Sequence, residues 1–140
     1  TAALPTQPAA IGANCGVGAS ELIATVLGIS EARPDAAVVA KGNCGIPQYV
    51  DGHIHYTGTP ELMADYARIA LDAGARIIGG CCGTSPEHLA AMRKSLETYT
   101  RGSRPTVEII EERLGPVSVL AKGIDTAAAG AARRERRRGN

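Results

Sequence analysis

Three times along this chain a short apolar run ends in a cluster of glycine, asparagine and cysteine. The runs are Ala9-Ala10-Ile11-Gly12-Ala13, Ala36-Ala37-Val38-Val39-Ala40 and Ala75-Arg76-Ile77-Ile78. Nearly unbroken apolarity over so few residues predicts parallel strands buried on both faces. Helix-compatible stretches follow: one over about 20–27, one opened by Thr59-Pro60-Glu61 and one by Ser85-Pro86-Glu87. The last two place a hydroxyl at the N-cap, proline in the first turn and an acid at the positive end of the helix dipole. Their apolar faces carry Leu62, Tyr66, Ile69 and Ala70 in one and Leu89, Met92 and Leu96 in the other. Alternating strands and helices specify an α/β chain with a parallel sheet and right-handed crossovers, either open and doubly wound or a (β/α)8 barrel. Both architectures put chemistry at the carboxyl ends of the strands, so the three Gly/Asn/Cys clusters share one rim. A complete barrel takes about 250 residues, whereas three βα units account for this chain of 140.

Between the second strand and its helix the sequence reads as a long polar loop ending near Gly58. After the breaker Gly102-Ser103-Arg104-Pro105, residues 107–114 read as a short helix or strand, and the remainder is rich in Ala, Gly and Arg. With no Phe or Trp, the core must be built from Ala, Ile, Leu and Val. The net charge of +1 conceals an asymmetry, because five of fifteen basic residues and one acid fall within 133–140. The body keeps ten basic against thirteen acidic residues, which disfavours nucleic acid as its partner. No apolar stretch approaches the ~20 residues of a membrane span and no secretory signal opens the chain, so the expectation is a soluble cytoplasmic protein. In that compartment four cysteines are thiols or metal ligands more than disulfides.

Zinc favours thiolates in tetrahedral sites, and a catalytic zinc keeps three protein ligands and one open position. Cys15, in Asn14-Cys15-Gly16, and the pair Cys81 and Cys82, in Gly79-Gly80-Cys81-Cys82-Gly83, supply three sulfurs on one rim. The flanking glycines remove side chains that would block a close approach. Any one of these cysteines alone would read as a buried packing residue; three glycine-flanked thiols at strand ends are poor packing and good ligation. Cys44 reads as a small loop-packing residue, because a fourth thiolate would close the site. His53 and His55 read as solvent-facing, His88 as a local hydrogen-bonding group in its first helical turn, and Lys41 as a weak candidate for a substrate carboxylate.

The chain contains Gly12-Ala13-Asn14-Cys15, Lys41-Gly42-Asn43-Cys44-Gly45-Ile46-Pro47, and Gly79-Gly80-Cys81-Cys82-Gly83-Thr84-Ser85-Pro86-Glu87-His88, within about 11–92. Together these three segments resemble the zinc-dependent homocysteine S-methyltransferases, including the betaine–homocysteine type and the homocysteine-binding barrel of cobalamin-dependent methionine synthase. The resemblance implies the C-terminal portion of a (β/α)8 TIM barrel, about three βα units holding the sixth to eighth strands. Residues 1–123 would form this partial homocysteine-binding domain, and 124–140 a disordered Ala/Gly/Arg-rich tail. It further implies a Zn2+ cofactor on Cys15, Cys81 and Cys82, with homocysteine sulfur as fourth ligand. Asn43 would supply an oxygen when substrate is absent, and Asn14 a contact to substrate or to a ligand. The implied reaction is methyl transfer from a small donor, with betaine preferred, to give methionine. The remaining strands would lie in a missing N-terminal half or in another chain of an assembly. Rival readings are a non-catalytic zinc-binding or thiol-redox fragment and a phosphate cradle at the last strand's glycines.

Overall fold

The computed structural model describes residues 7–16 and 18–118; the expected tail at 124–140 lies outside them. Strand β1 (Ala10–Cys15) leads to helix α1 (Ala19–Ala32) and strand β2 (Ala37–Gly42). A two-stranded excursion, β3 (Pro47–Val50) and β4 (His53–Tyr56), precedes α2 (Pro60–Asp72), β5 (Ala75–Gly80), α3 (Pro86–Glu97) and α4 (Val107–Leu114). The main sheet runs β1-β2-β5 and is parallel throughout. The chain is therefore α/β with three βα units, as its alternation predicts.

Two of the helix starts work as the sequence suggests. Thr59 accepts a hydrogen bond from the Leu62 amide with Pro60 in the first turn, and Ser85 precedes Pro86 at the start of α3. His88 Nδ1 accepts from the Ser85 amide at 3.1 Å, taking the part that Glu or Gln plays in most capping boxes. Helix α4 resolves the ambiguity at 107–114: Thr106 caps it, Gly115 ends it at φ 100°, and Ile110 and Leu114 are buried. An Arg113–Asp65 ion pair ties it to α2.

The core lies between the sheet and its helices. Ile23 and Val26 of α1, Met63, Tyr66 and Ile69 of α2, and Val38 and Ala40 of β2 are almost fully buried. Of the inward face expected for α2, Tyr66, Ile69 and Ala70 are fully buried and Leu62 packs half-buried against the core, with Met63 buried beside them. The expectation of strands buried on both faces is not met. Alternation puts Val38, Ala40 and Ile78 toward the helices and Gly12, Asn14, Val39, Lys41 and Ile77 on the other face. On that second face Gly12, Asn14 and Lys41 are exposed, Val39 is half-buried and Ile77 stays 51% exposed.

The expected polar loop after β2 is instead an antiparallel hairpin with register Pro47↔Tyr56 to Val50↔His53. Asp51 and Gly52 turn it with φ of 50° and 80°, the signature of a two-residue type I′ connection. His53 and His55 point to solvent from β4, as expected. Among the described residues no helix is long and apolar enough to cross a membrane.

Candidate metal centre

Parallel strands deliver Cys15, Gly42 and Gly80 to the same end of the sheet, in register Cys15↔Gly42↔Gly80. Backbone bonds then extend the strand ends into a fixed set of turns. The Cys81 amide donates to Gly42 O at 2.8 Å, Cys44 N to Cys82 O at 2.9 Å, and Thr84 N to Cys81 O at 3.2 Å. Cys15 itself takes a left-handed conformation at φ 68°, followed by Gly16 at 90°. A non-glycine residue held there is strained backbone maintained by its surroundings.

Asn43 connects the turns. Its Nδ2 donates to Gly16 O at 2.6 Å and its Oδ1 accepts from the Cys82 amide at 3.2 Å, with the residue 2% exposed. One buried side chain thus fixes the loop after Cys15 against the Cys81-Cys82 turn.

The sulfurs of Cys15, Cys81 and Cys82 all lie within 4.8 Å of one another. Cys82 Sγ is 3.8 Å from Cys15 Sγ and 3.8 Å from Cys81 Sγ. Tetrahedral ligation with metal–sulfur bonds of about 2.3 Å separates sulfurs by about 3.8 Å. The donor set therefore fits a metal ion in both chemistry and spacing, and no disulfide links any of these thiols. Cys82 is exposed and its two partners half-buried, so one side of the cluster faces outward. Cys44 stands apart, completely buried under the Gly58 turn, where the Gly58 amide donates to Cys44 O at 3.0 Å.

The electrostatics separate the thiols. Cys15 is held below the ordinary thiol range, first by the hydrogen bond with Cys82, then by the Gly16 backbone and Cys81. Burial, followed by hydrogen bonding to the neighbouring sulfurs, pushes Cys81 up. Burial alone raises Cys44, as suits a packing thiol.

The glycines divide by role. A Cβ at Gly80 would run into the Thr84 side chain and one at Gly83 into the Tyr56 ring, where φ is also +75°. Gly79 would meet only Lys41 Cγ at 3.8 Å, an ordinary contact, so no neighbouring side chain or backbone group demands glycine there. Tyr56 was not legible as a site residue. The hairpin carries it from 26 residues upstream onto the Cys81-Cys82 turn, and hydrogen bonding with Cys82, then burial, raises its hydroxyl pKa. Asn14 and Lys41 are exposed neighbours on the uncovered face, near the cysteines but outside their hydrogen-bond network. His88 is far from ligation: its ring serves the Ser85 cap and approaches Gly58 O at 3.3 Å.

A parallel βα sheet with three convergent thiols at its carboxyl rim defines an α/β protein with a cysteine cluster able to hold a metal. Residues 1–96 match the family model described as homocysteine S-methyltransferase, a span that contains all three thiols. The chain belongs to the homocysteine S-methyltransferase family, and methyl transfer to homocysteine is the activity that family membership supports.

Proposed function

We propose that this chain forms the metal-binding, homocysteine-activating part of a zinc-dependent homocysteine S-methyltransferase, in which Cys15, Cys81 and Cys82 hold zinc as thiolates. The observation that carries this reading is the 3.8 Å separation of Cys82 Sγ from both Cys15 Sγ and Cys81 Sγ, with all three sulfurs within 4.8 Å, which suits the edge of a tetrahedral thiolate site. Zinc, when bound, supplies the positive charge that keeps the homocysteine thiol ionised at neutral pH.

The protein's own groups do the positioning. Asn43 and the backbone bonds from Cys81 and Cys44 hold two loops in a single relation, so the sulfurs are in place before ligation. Outward exposure of Cys82 leaves room for one further donor. Asn43 Oδ1 has a second lone pair beyond the one taken by the Cys82 amide, and it serves as the oxygen donor when substrate is absent. Asn14 and Lys41, side by side on the uncovered face, contact the amino-acid end of homocysteine. The homocysteine thiolate then forms a bond to the methyl carbon as the donor departs with the electron pair of the broken bond. Methionine is the product, and betaine is the preferred donor. In this reading the sheet is the C-terminal portion of a (β/α)8 barrel, and the uncovered face looks into the barrel.

Calorimetric titration of homocysteine into zinc-loaded and metal-free chain tests the proposal. Homocysteine should bind the zinc form with net proton release, and methionine, whose thioether has no proton to lose, should bind far more weakly. Equal homocysteine affinity in both forms would overturn it.

A further inference from the structure

At the opposite end of the sheet from the cysteines, a cavity of about 430 Å3 opens where β2 and β5 begin. Ser30, Gly74 and four arginines, Arg33, Arg76, Arg101 and Arg104, line it. Such convergence of positive charge is notable in a chain whose first 132 residues carry more acid than base.

Two of the arginines have structural work. Arg33 forms an ion pair with Asp35 at 3.0 Å. Arg104 donates to Leu27 O at 2.6 Å and to Ser30 Oγ at 3.0 Å, which satisfies the last turns of α1, and among the described residues its one acidic partner is an exposed Glu31 at 3.9 Å. Arg76 and Arg101 have no hydrogen-bond or ion-pair partner among the described residues. Four guanidinium groups thus face two carboxylates, an excess of positive charge suited to an anion. Gly74, with φ +109° and no side chain, keeps the floor open; a Cβ there would meet Ser30 Cβ at 2.8 Å and Arg101 Nη2 at 3.3 Å.

We propose that this cavity binds a compact polyphosphate-class anion, with Arg76 and Arg101 as its principal ligands. Guanidinium groups pair with phosphate oxygens through parallel N–H bonds. Tetrahedral phosphoryl groups direct oxygens along several axes, which suits arginines arriving from a strand, from the α1 terminus and from the segment after α3. A planar carboxylate offers a single fork. The volume exceeds the needs of one phosphate, and among the described residues the lining contains no aromatic side chain on which a base could stack, so the ligand is a bare diphosphate-type group. The site is independent of the metal centre.

The test is calorimetry of the full chain with pyrophosphate at low ionic strength. One pyrophosphate should bind per chain, and Arg76→Gln/Arg101→Gln should weaken binding about tenfold or more, a loss of at least ~1.4 kcal/mol. Arg137→Gln/Arg138→Gln, in the arginine-rich C-terminal sequence, should leave the affinity unchanged, and citrate should bind less tightly. In the unsubstituted chain, pyrophosphate should also shield Arg76 and Arg101 from phenylglyoxal, read by peptide mass, so the test does not depend on a variant that folds. Unshielded arginines, citrate binding as tight as pyrophosphate, or affinity lost only with the C-terminal arginines would overturn the proposal.

Discussion

Asn43 commits both ends of its amide to backbone groups of two separate turns, and it is buried while doing so. Truncation to alanine strands the Cys82 amide and Gly16 carbonyl, at a cost of about 1–3 kcal/mol in stability. It should also weaken zinc binding about 10–100-fold, as loss of groups that orient metal ligands does. Chemical denaturation and competition with a chromophoric chelator check the two effects; wild-type zinc affinity in Asn43→Ala would contradict the positioning role. The thiols give a sharper contrast. Cys81→Ser or Cys82→Ser should abolish stoichiometric zinc in the purified protein, whereas Cys44→Ser should retain it, because Cys44 is buried away from the cluster. Metal analysis of the three variants distinguishes these outcomes. The convergence of the three thiols was legible in the sequence because parallel strands bring their carboxyl ends to one rim whatever the side chains are. Asn43's bonds span 27 and 39 residues, and no local pattern announces contacts of that range. Tyr56 escaped for the same reason.

Between elements, the tie that matters most at the rim is Tyr66. This α2 side chain is fully buried; its hydroxyl accepts from the Gly42 amide at 2.9 Å and donates to Gly79 O at 3.3 Å, joining the last residues of β2 and β5. Desolvation raises its pKa well above the ordinary phenol value, so it remains a neutral donor across the working pH range. Tyr66→Phe leaves the Gly42 amide without its partner and should cost about 1–3 kcal/mol, measured as a lower denaturation midpoint with an unchanged slope. An unaltered midpoint would show that the strand ends do not depend on this tie. At this scale the βα alternation and the two Pro-initiated helices were readable, because caps and periodicity are local. The hairpin was also written locally, in Val50-Asp51-Gly52-His53, but the polar residues around that Asp-Gly turn gave the stretch the look of a loop. The outward faces of β3 and β4 bury little, Tyr49 being 77% and Ile54 62% exposed, so apolar patterning offered no help. Leu89, expected on the inward face of α3, is 49% exposed and lines an open groove with Leu71, Ile78, Met92 and Leu96.

For the whole molecule, the organising fact is a three-stranded parallel sheet covered by helices on one face, with its thiols on one end and its arginine cavity on the other. The apolar strands led to an expectation of two covered faces; Val39 and Ile77 retain that apolar character on the face that the described residues leave open. Composition and periodicity report what a strand requires, not which residues meet the requirement. In the proposed barrel, that face and the two outer strand edges are completed by further strands, and homocysteine reaches the cysteines from within. The direct measurement is zinc K-edge X-ray absorption of the zinc-loaded chain before and after homocysteine addition. We predict three sulfurs at about 2.3 Å with one oxygen or nitrogen in the resting state, and four sulfurs once homocysteine is bound. Four sulfurs before addition, or three that do not change after it, would contradict an open thiolate centre that takes its substrate by the sulfur.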